Sequence, residues 1–307
     1  MITCRQLEEL AALDAPLHLA LGVFDGVHVG HQAVIGRAVT AAKRDGGLAG
    51  VLTFDPHPIR VIAPGKAPSA LLATLDHKAQ IVEGLGIDLF IALHFDEKFA
   101  AREATDFLDD LLTANVRTIA VGEDWRFGRG RHGDVGLLQE QAARRNFTLE
   151  AVAPVMLDGE RVSSTRIRQA IRDGNLAAAA RMLGRPYSVS GPVVEGRRLG
   201  RTIGFPTANI ATADAQLPPD GVWTVRVRFA DHSVKNGVAN LGTRPTVDGV
   251  GRSLEAHLFD FSGDLYGREI ELEFLHFLRP EKKFAGLEAL KQQIAADAAE
   301  ARRRLGA

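Results

Sequence analysis

The ten residues Gly22–His31, GVFDGVHVGH, constrain this chain more than any other stretch. The apolar run Leu17–Val23 predicts a buried strand, and the pattern from Gln32 to Lys43 predicts a helix. Gly22, Gly26 and Gly30 give the backbone the freedom that a tight strand-to-helix turn requires. The free N–H groups of a helix N-terminus attract anions. Two imidazoles three residues apart, His28 and His31, are expected on one helical face, where both can donate to the same phosphate chain. The segment therefore predicts a phosphate-binding turn. No Lys-Ser or Lys-Thr follows, so it is not a Walker A loop. Zinc is an alternative that the spacing disfavours, since there is no His-Glu-x-x-His pattern and Cys4 is the single cysteine. A glycine-rich turn with surface histidines is the plain structural alternative.

The chain of 307 residues is long enough for two domains, each with its own core. Lys+Arg 37 against Asp+Glu 38 leaves no charge bias, so nucleic acid is not an expected partner. One cysteine excludes an internal disulfide framework and fits a reducing compartment. No apolar run reaches 18 residues, so no membrane partner is expected and a cytoplasmic location is. Oligomeric state is not legible in the residues.

Short apolar runs alternate with amphipathic stretches from 17 to 153. Strands are expected at Leu17–Val23, Leu48–Phe54, Leu89–Leu93, Arg117–Val121 and Phe147–Ala153, with a helix at Ala101–Asn115. This rhythm predicts a doubly wound parallel α/β sheet with ligands beyond the strand carboxyl ends. Helices are expected at Ser164–Arg172 and Leu176–Leu183, followed by a turn at Gly184–Tyr187. Two-residue alternation then begins, as in Trp223–Phe229, where Thr224, Arg226 and Arg228 are expected on the face opposite Trp223, Val225, Val227 and Phe229. Similar alternation in Leu254–Phe259 and Ile270–Phe274 predicts a small antiparallel β-barrel, and Gly286–Leu305 a C-terminal helix with Leu287, Leu290 and Ile294 on one stripe. The domains are expected at 1–185 and 186–307.

A second cluster, Ser163, Ser164 and Thr165 with Arg166, Arg168 and Arg172, stands at a helix start. Beside the first turn it reads as a second clamp on a polyphosphate. GVFDGVHVGH and SSTRIR together resemble the HxGH nucleotidyltransferases. With TFDPHP (Thr53–Pro58) and VGEDWRFGRGRHGD (Val121–Asp134) they resemble the adenylyltransferase module of the prokaryotic bifunctional riboflavin kinase/FAD synthetase family. The resemblance implies transfer of AMP from ATP to FMN. It implies ATP contacts from Gly22, Phe24, Asp25, Gly26, His28, His31, Ser164, Thr165 and Arg168, with His28, His31 and Arg168 catalytic, and flavin contacts from Asp55, His57, Asp124, Arg126 and Phe127. Trp125 stands where the family usually has Phe, and Asp55 where it commonly has Glu. Taken alone, Asp124–Phe127 also reads as a β-turn with an aromatic plug, and His57, between Pro56 and Pro58, as part of a rigid loop.

In the second half, Gly191–Ile210 (GPVVEGRRLGRTIGFPTANI) opens like a P-loop but has Arg197 and Arg198 where Lys and Ser or Thr are needed. Thr207 and Asn209 carry oxygens suited to a hard cation such as Mg2+, and strand alternation would put both on one face. This stretch, with ANLGTRPTV (Ala239–Val247), LEAHLFDF (Leu254–Phe261) and DLYGREIELEF (Asp264–Phe274), resembles riboflavin kinase. The resemblance implies a β-barrel that binds Mg2+–ATP through Gly196, Gly200, Gly204, Thr207 and Asn209. It also implies that Glu255 accepts the proton of the riboflavin 5′-hydroxyl. The expected activity has two steps, riboflavin to FMN and FMN to FAD, with ATP and Mg2+ as co-substrate and metal and no prosthetic group. A different HxGH transferase with an unrelated partner domain, or a non-enzymatic flavin or nucleotide sensor, are the rival readings.

Overall fold

The computed structural model describes residues 1–196, 199–212, 214–246 and 249–306. Arg197, Arg198 and Val247 therefore lie outside the described residues. The chain divides into two compact units, Met1–Ser69 with Leu75–Ser164, and Ala70–Thr74 with Thr165–Ala307.

In the first unit the strands are β1 (Ile2–Cys4), β2 (Leu17–Leu21), β3 (Leu48–Asp55), β4 (Leu89–His94), β5 (Val116–Gly122) and β6 (Thr148–Val152). The helices are α1 (Val29–Asp45), α2 (Pro58–Ile62), α3 (Leu75–Glu83), α4 (Glu97–Ala100), α5 (Ala104–Leu111) and α6 (Val135–Arg145). The six strands form one parallel sheet in the order β1-β4-β3-β2-β5-β6. From β2 the chain winds one way through β3 and β4, then crosses to the other side of β2 for β5 and β6. The order thus reverses between β2 and β5, and open α/β sheets bind ligands at the strand carboxyl ends beside such a reversal. The segment that leaves β2 at this point is the one that begins at Gly22.

All five residues of β2 are buried, as befits a central strand covered on both faces. Leu19, Ile91 and Ile119 pack with Phe107 and Leu108 on one side. Ala20, Val51 and Phe90 pack with Val34, Ile35 and Ala38 of α1 on the other. Within the expected helix Ala101–Asn115 the structure forms the shorter α5, whose cap Glu103 is extended at φ −63°, ψ 151°; the unexpected short α4 precedes it, and the Arg102 amide donates to the Phe99 carbonyl (3.1 Å). The edge strand β1, three residues long, carries too little alternation to be read from sequence. A ribbon of β7 (Met156–Leu157) and β8 (Glu160–Arg161) completes this unit.

Besides Ala70–Thr74, the second unit contains α7 (Ser164–Arg172) from Thr165 onward and α8 (Leu176–Leu183). It continues with β9 (Ser188–Val194), α9 (Leu199–Thr202), β10 (Ala208–Ile210), β11 (Gly221–Phe229), β12 (Val234–Thr246), β13 (Gly249–Leu258), β14 (Glu269–Arg279) and α10 (Leu287–Leu305). The strands close an antiparallel barrel in the order β10-β13-β12-β11-β14-β9. Trp223, Val225 and Val227 are buried as alternation predicts. Thr224 is buried too, against expectation, because the β11–β14 register shifts there and its hydroxyl accepts the His276 amide (2.9 Å). On α10 the stripe residue Leu287 is 63% exposed, and the buried residues of this helix are Asp297 and Ala301. Among the described residues no helix is long and apolar enough to cross a membrane.

Candidate active sites

The first site is built on the β2 carboxyl end. β2 stops at Leu21, two residues before the expected Val23. The Val23 carbonyl accepts from Thr53 Oγ1 (2.9 Å) and from Lys78 Nζ (2.8 Å). The backbone then enters the left-handed region at Phe24 (φ 50°), Gly26 (φ 81°) and Val27 (φ 43°). For the two non-glycine residues this costs about 1–3 kcal/mol each, and it persists where surrounding packing dictates it. Both side chains are buried, Phe24 at 2% exposure and Val27 at 0%. Gly22 is needed for close approach, since a Cβ there would lie 2.9 Å from the Phe24 ring.

His28 caps α1: its Nδ1 accepts the His31 amide N–H (3.2 Å), so Nδ1 carries no proton and the ring N–H is on Nε2. The helix consequently starts three residues earlier than the sequence pattern suggested. His28 therefore lies outside the helix rather than on one helical face with His31, and the two rings stack with centroids 3.5 Å apart. The Phe24 ring meets His31 edge-on at 5.3 Å. Burial pushes the His31 imidazole well below the usual histidine range, with further contributions from His28 and the Lys78 charge. Its Nδ1 is buried and has no hydrogen-bond partner among the described residues.

Ser164 joins this loop by donating from Oγ to the Asp25 carbonyl (3.0 Å). Thr165 and Arg168 belong to the second unit, where Arg168 is buried and its Nε donates to the Ala70 carbonyl (2.9 Å). Asp55 ends β3 and is exposed. His57 ends the loop after β3 and caps α2, Nδ1 accepting the Ile59 amide (3.3 Å); a short helix then follows from Pro58, at the first helical position, where a missing N–H costs nothing. Asp124 pairs with Arg161 of β8 (2.7 Å), while exposed Arg126 donates to the Trp125 carbonyl (3.2 Å). Phe127 is buried and stacked under half-buried Trp125 (4.4 Å, 14°). Ring contacts continue through Phe107, Phe99 and Phe95 to Phe54, linking the Asp124 and Asp55 loops by an aromatic floor.

Lys78 is the residue that sequence reasoning missed here. It is 6% exposed, and burial lowers its ammonium to about 8 against the attraction of Asp25 and Asp55. One signal was available: Lys78 stands four residues before Val82 on the buried stripe of α3, where a lysine without a polar task is rare.

The second site is a cleft of about 300 Å³ on the barrel, where Gly200, Thr207, Asn209 and Glu255 come together with Asn240 and His257. Barrel register makes this so: Asn209 of β10 lies opposite Glu255 of β13, which lies opposite Asn240 of β12. The three share one cross-strand row, while Leu254, Ala256 and Leu258 turn to the core. Gly196 is required because a Cβ there would overlap the Asn209 amide, and Gly204 takes a left-handed φ of 87°. His257 Nδ1 lies 2.9 Å from the Pro206 carbonyl and so tethers the segment before β10.

The far wall of the cleft comes from Phe284, Leu290 and Ile294. α10 is fastened by Arg279 of β14, which binds Asp297 through Nε and Nη2 (3.0 and 2.7 Å), and by Arg302, bidentate to Asp260 (3.0 Å each). Sequence reading missed Arg279, Asp297 and Phe284. The apolar stripe of α10, of which Leu290 and Ile294 line this cleft, was the available signal. Among the described residues no group of three or more His, Cys, Asp or Glu could hold a metal. Thr207 and Asn209 offer neutral oxygens, donors that suit Mg2+ shared with phosphate groups.

Family models match both halves: FAD synthetase over residues 11–166 and riboflavin kinase over residues 183–305. The chain is 42% identical over 290 residues to the bifunctional riboflavin kinase/FMN adenylyltransferase of Escherichia coli K12, covering 94% of this chain and 92% of that protein. The Bacillus subtilis protein of the same description is 36% identical over 289 residues, covering 92% and 90%. This chain belongs to the bifunctional riboflavin kinase/FMN adenylyltransferase family. Within that family the parallel sheet corresponds to the FAD synthetase match and the barrel with α10 to the riboflavin kinase match. The crystal structure of a macrolide-efflux protein from Streptococcus pneumoniae is similar to this chain, with TM-score 0.82, 31% identity and 98% of each chain covered.

Proposed function

We propose that this chain makes FAD from riboflavin in two ATP-dependent steps, each at its own site. Riboflavin kinase and FMN adenylyltransferase activities producing FMN and FAD are those of its family. The assignment of residues rests on one observation above the rest: Thr207 and Asn209 line one cleft with Glu255, which lies some 46 positions further along the sequence and directly opposite Asn209 in the barrel register.

In the kinase step the riboflavin 5′-hydroxyl attacks the γ-phosphorus of ATP, ADP leaves, and Glu255 takes the hydroxyl proton. A neutral alcohol gains from such a positioned carboxylate. Gly196, Gly200, Gly204, Thr207 and Asn209 hold the nucleotide, and the Phe284, Leu290 and Ile294 wall takes the flat apolar ring system of the flavin. Mg2+ bound at Thr207 and Asn209 would neutralise charge on the ATP phosphates.

In the adenylyl-transfer step an FMN phosphate oxygen attacks the α-phosphorus of a second ATP, and pyrophosphate leaves. The nucleophile is already anionic, so the site needs alignment and charge stabilisation rather than a base. His28 donates from Nε2 to the phosphates, together with His31 and the amides of the loop through Gly22, Phe24, Asp25 and Gly26. Ser164, Thr165 and Arg168 complete the nucleotide contacts, and Asp55, His57, Asp124, Arg126 and Phe127 the flavin contacts. On this reading the functional domains are 1–185 and 186–307, and the chain works in the cytoplasm.

The test is chromatography of riboflavin incubated with ATP, Mg2+ and purified protein. FMN and then FAD, with release of ADP and pyrophosphate, are the expected products, and conversion of riboflavin to neither would overturn the reading.

A further inference from the structure

The FMN adenylyltransferase site poses an electrostatic problem. A triphosphate must be bound, yet the imidazole of His31 is kept uncharged by burial, and His28 spends its Nδ1 lone pair on capping α1. The nearest acidic groups, Asp25 and Asp55, repel phosphate further. Besides Arg168, already assigned to the nucleotide, a buried cation of the first unit, Lys78, lies next to these carboxylates. Lys78 reaches from α3 to the point where β2 becomes the nucleotide loop, donating to the Val23 carbonyl (2.8 Å) and to Thr53 Oγ1 (3.2 Å). These two bonds leave one of its three N–H donors for a further partner.

Resting on the adenylyltransferase reading above, we propose that Lys78 is a positioning residue for FAD formation: it fixes the Val23 carbonyl at the loop entrance and supplies the positive field in which the loop receives ATP. The geometry separates these two roles. A deprotonated amine still donates to Val23 and Thr53, so the scaffold survives deprotonation while the field does not. The groups facing Lys78 are Asp25 from the loop, Asp55 from the end of β3, and His31 from α1, with His28 stacked on His31. Arg161 of the β7–β8 ribbon contributes charge to the same neighbourhood through His31. Of these, Lys78 is the group held at about 8.

The experiment is the pH dependence of FAD formation from FMN and ATP by the full-length protein, between pH 6.5 and 9.5. FMN formation from riboflavin in the same preparations serves as the control for folding. In the unmodified protein kcat/KM for ATP is expected to fall above pH 8, approaching about tenfold per pH unit. Lys78→Arg, whose guanidinium stays protonated, removes this alkaline limb. Lys78→Met lowers kcat/KM roughly 100-fold at pH 7, chiefly through KM for ATP, with kinase activity retained. A flat profile to pH 9.5 in the unmodified protein, or a Lys78→Met protein within twofold of it at pH 7, overturns the proposal. Should Lys78→Arg fail to fold, the other two measurements still decide. Failure of the unmodified protein to make any FAD would instead overturn the adenylyltransferase reading itself.

Discussion

A Cβ added at Gly196 would overlap the Asn209 amide, and Asn209 sits beside Glu255 in the barrel ladder. Gly196→Ala is therefore expected to raise the kinase KM for ATP about tenfold, equivalent to ~1.4 kcal/mol of binding, while FAD formation from supplied FMN is unchanged. Steady-state kinetics of the two steps check this. Two buried histidines give a second prediction at the same scale. His18 lies fully buried with Nδ1 2.9 Å from Thr118 Oγ1, and burial lowers both it and His31 below the ordinary value of 6.5. The unfolded chain then binds more protons than the folded one once pH drops below about 6.5, so stability is complete above that pH and declines on acidification. The slope reaches at most about 1.4 kcal/mol per pH unit for each histidine. Thermal unfolding should show Tm falling from pH 7.5 to 5.5, and His18→Gln should flatten the decline. Candidate residues such as His28, Thr207 and Glu255 could be named from the sequence because their types are unusual in those settings and fall in dense motifs. Lys78 was not, because a lone lysine declares its burial only when three separate segments, Val23, Thr53 and α3, are brought around it.

Among elements, α10 shows how packing decides function. The Arg279–Asp297 pair, with Gln293 Nε2 donating to Asp297 (2.8 Å), holds this helix beside the barrel so that Leu290 and Ile294 face the cleft. Asp297→Asn leaves a guanidinium with 19% of its side chain exposed and without its counter-charge. The expected loss is about 2–3 kcal/mol, as for a charged hydrogen bond in a partly buried setting. It should appear as a lower unfolding midpoint of the barrel and a raised KM for riboflavin, with FAD formation from FMN retained. Long central elements such as β3 were plain in the sequence, since burial on both faces leaves a continuous apolar run. The break between α4 and α5 was not, because the residues across it, Ala101, Arg102 and Glu103, are all ordinary helix formers. The α10 stripe was legible only as a stripe, since helical spacing identifies an apolar face without identifying what covers it.

At the scale of the whole molecule, two folds with different nucleotide-binding devices occupy one chain, so their failures should separate. His28→Ala is expected to abolish FAD formation while FMN still accumulates from riboflavin. Glu255→Ala should lower FMN formation by about 10²–10⁴, the usual worth of a general base, while supplied FMN is still converted to FAD. Product chromatography with each substrate distinguishes the two, and simultaneous loss of both activities in either variant would contradict the division of labour. The two-part architecture was legible from the change in periodicity near position 185, whereas the compact units divide at 164 and 165 because α7 and α8 cluster with the barrel and with Ala70–Thr74. The row of Asn209, Glu255 and Asn240 carries a last consequence. Side chains alternate with a period of two, so a one-residue slip of β13 would exchange Glu255 for an alanine or a leucine and drive its carboxylate inward among apolar neighbours. The closed barrel thus acts as its own proofreader: the slip that would remove the proposed base from the cleft would also dismantle the core, so a misaligned strand is not expected to persist as a folded but sluggish enzyme.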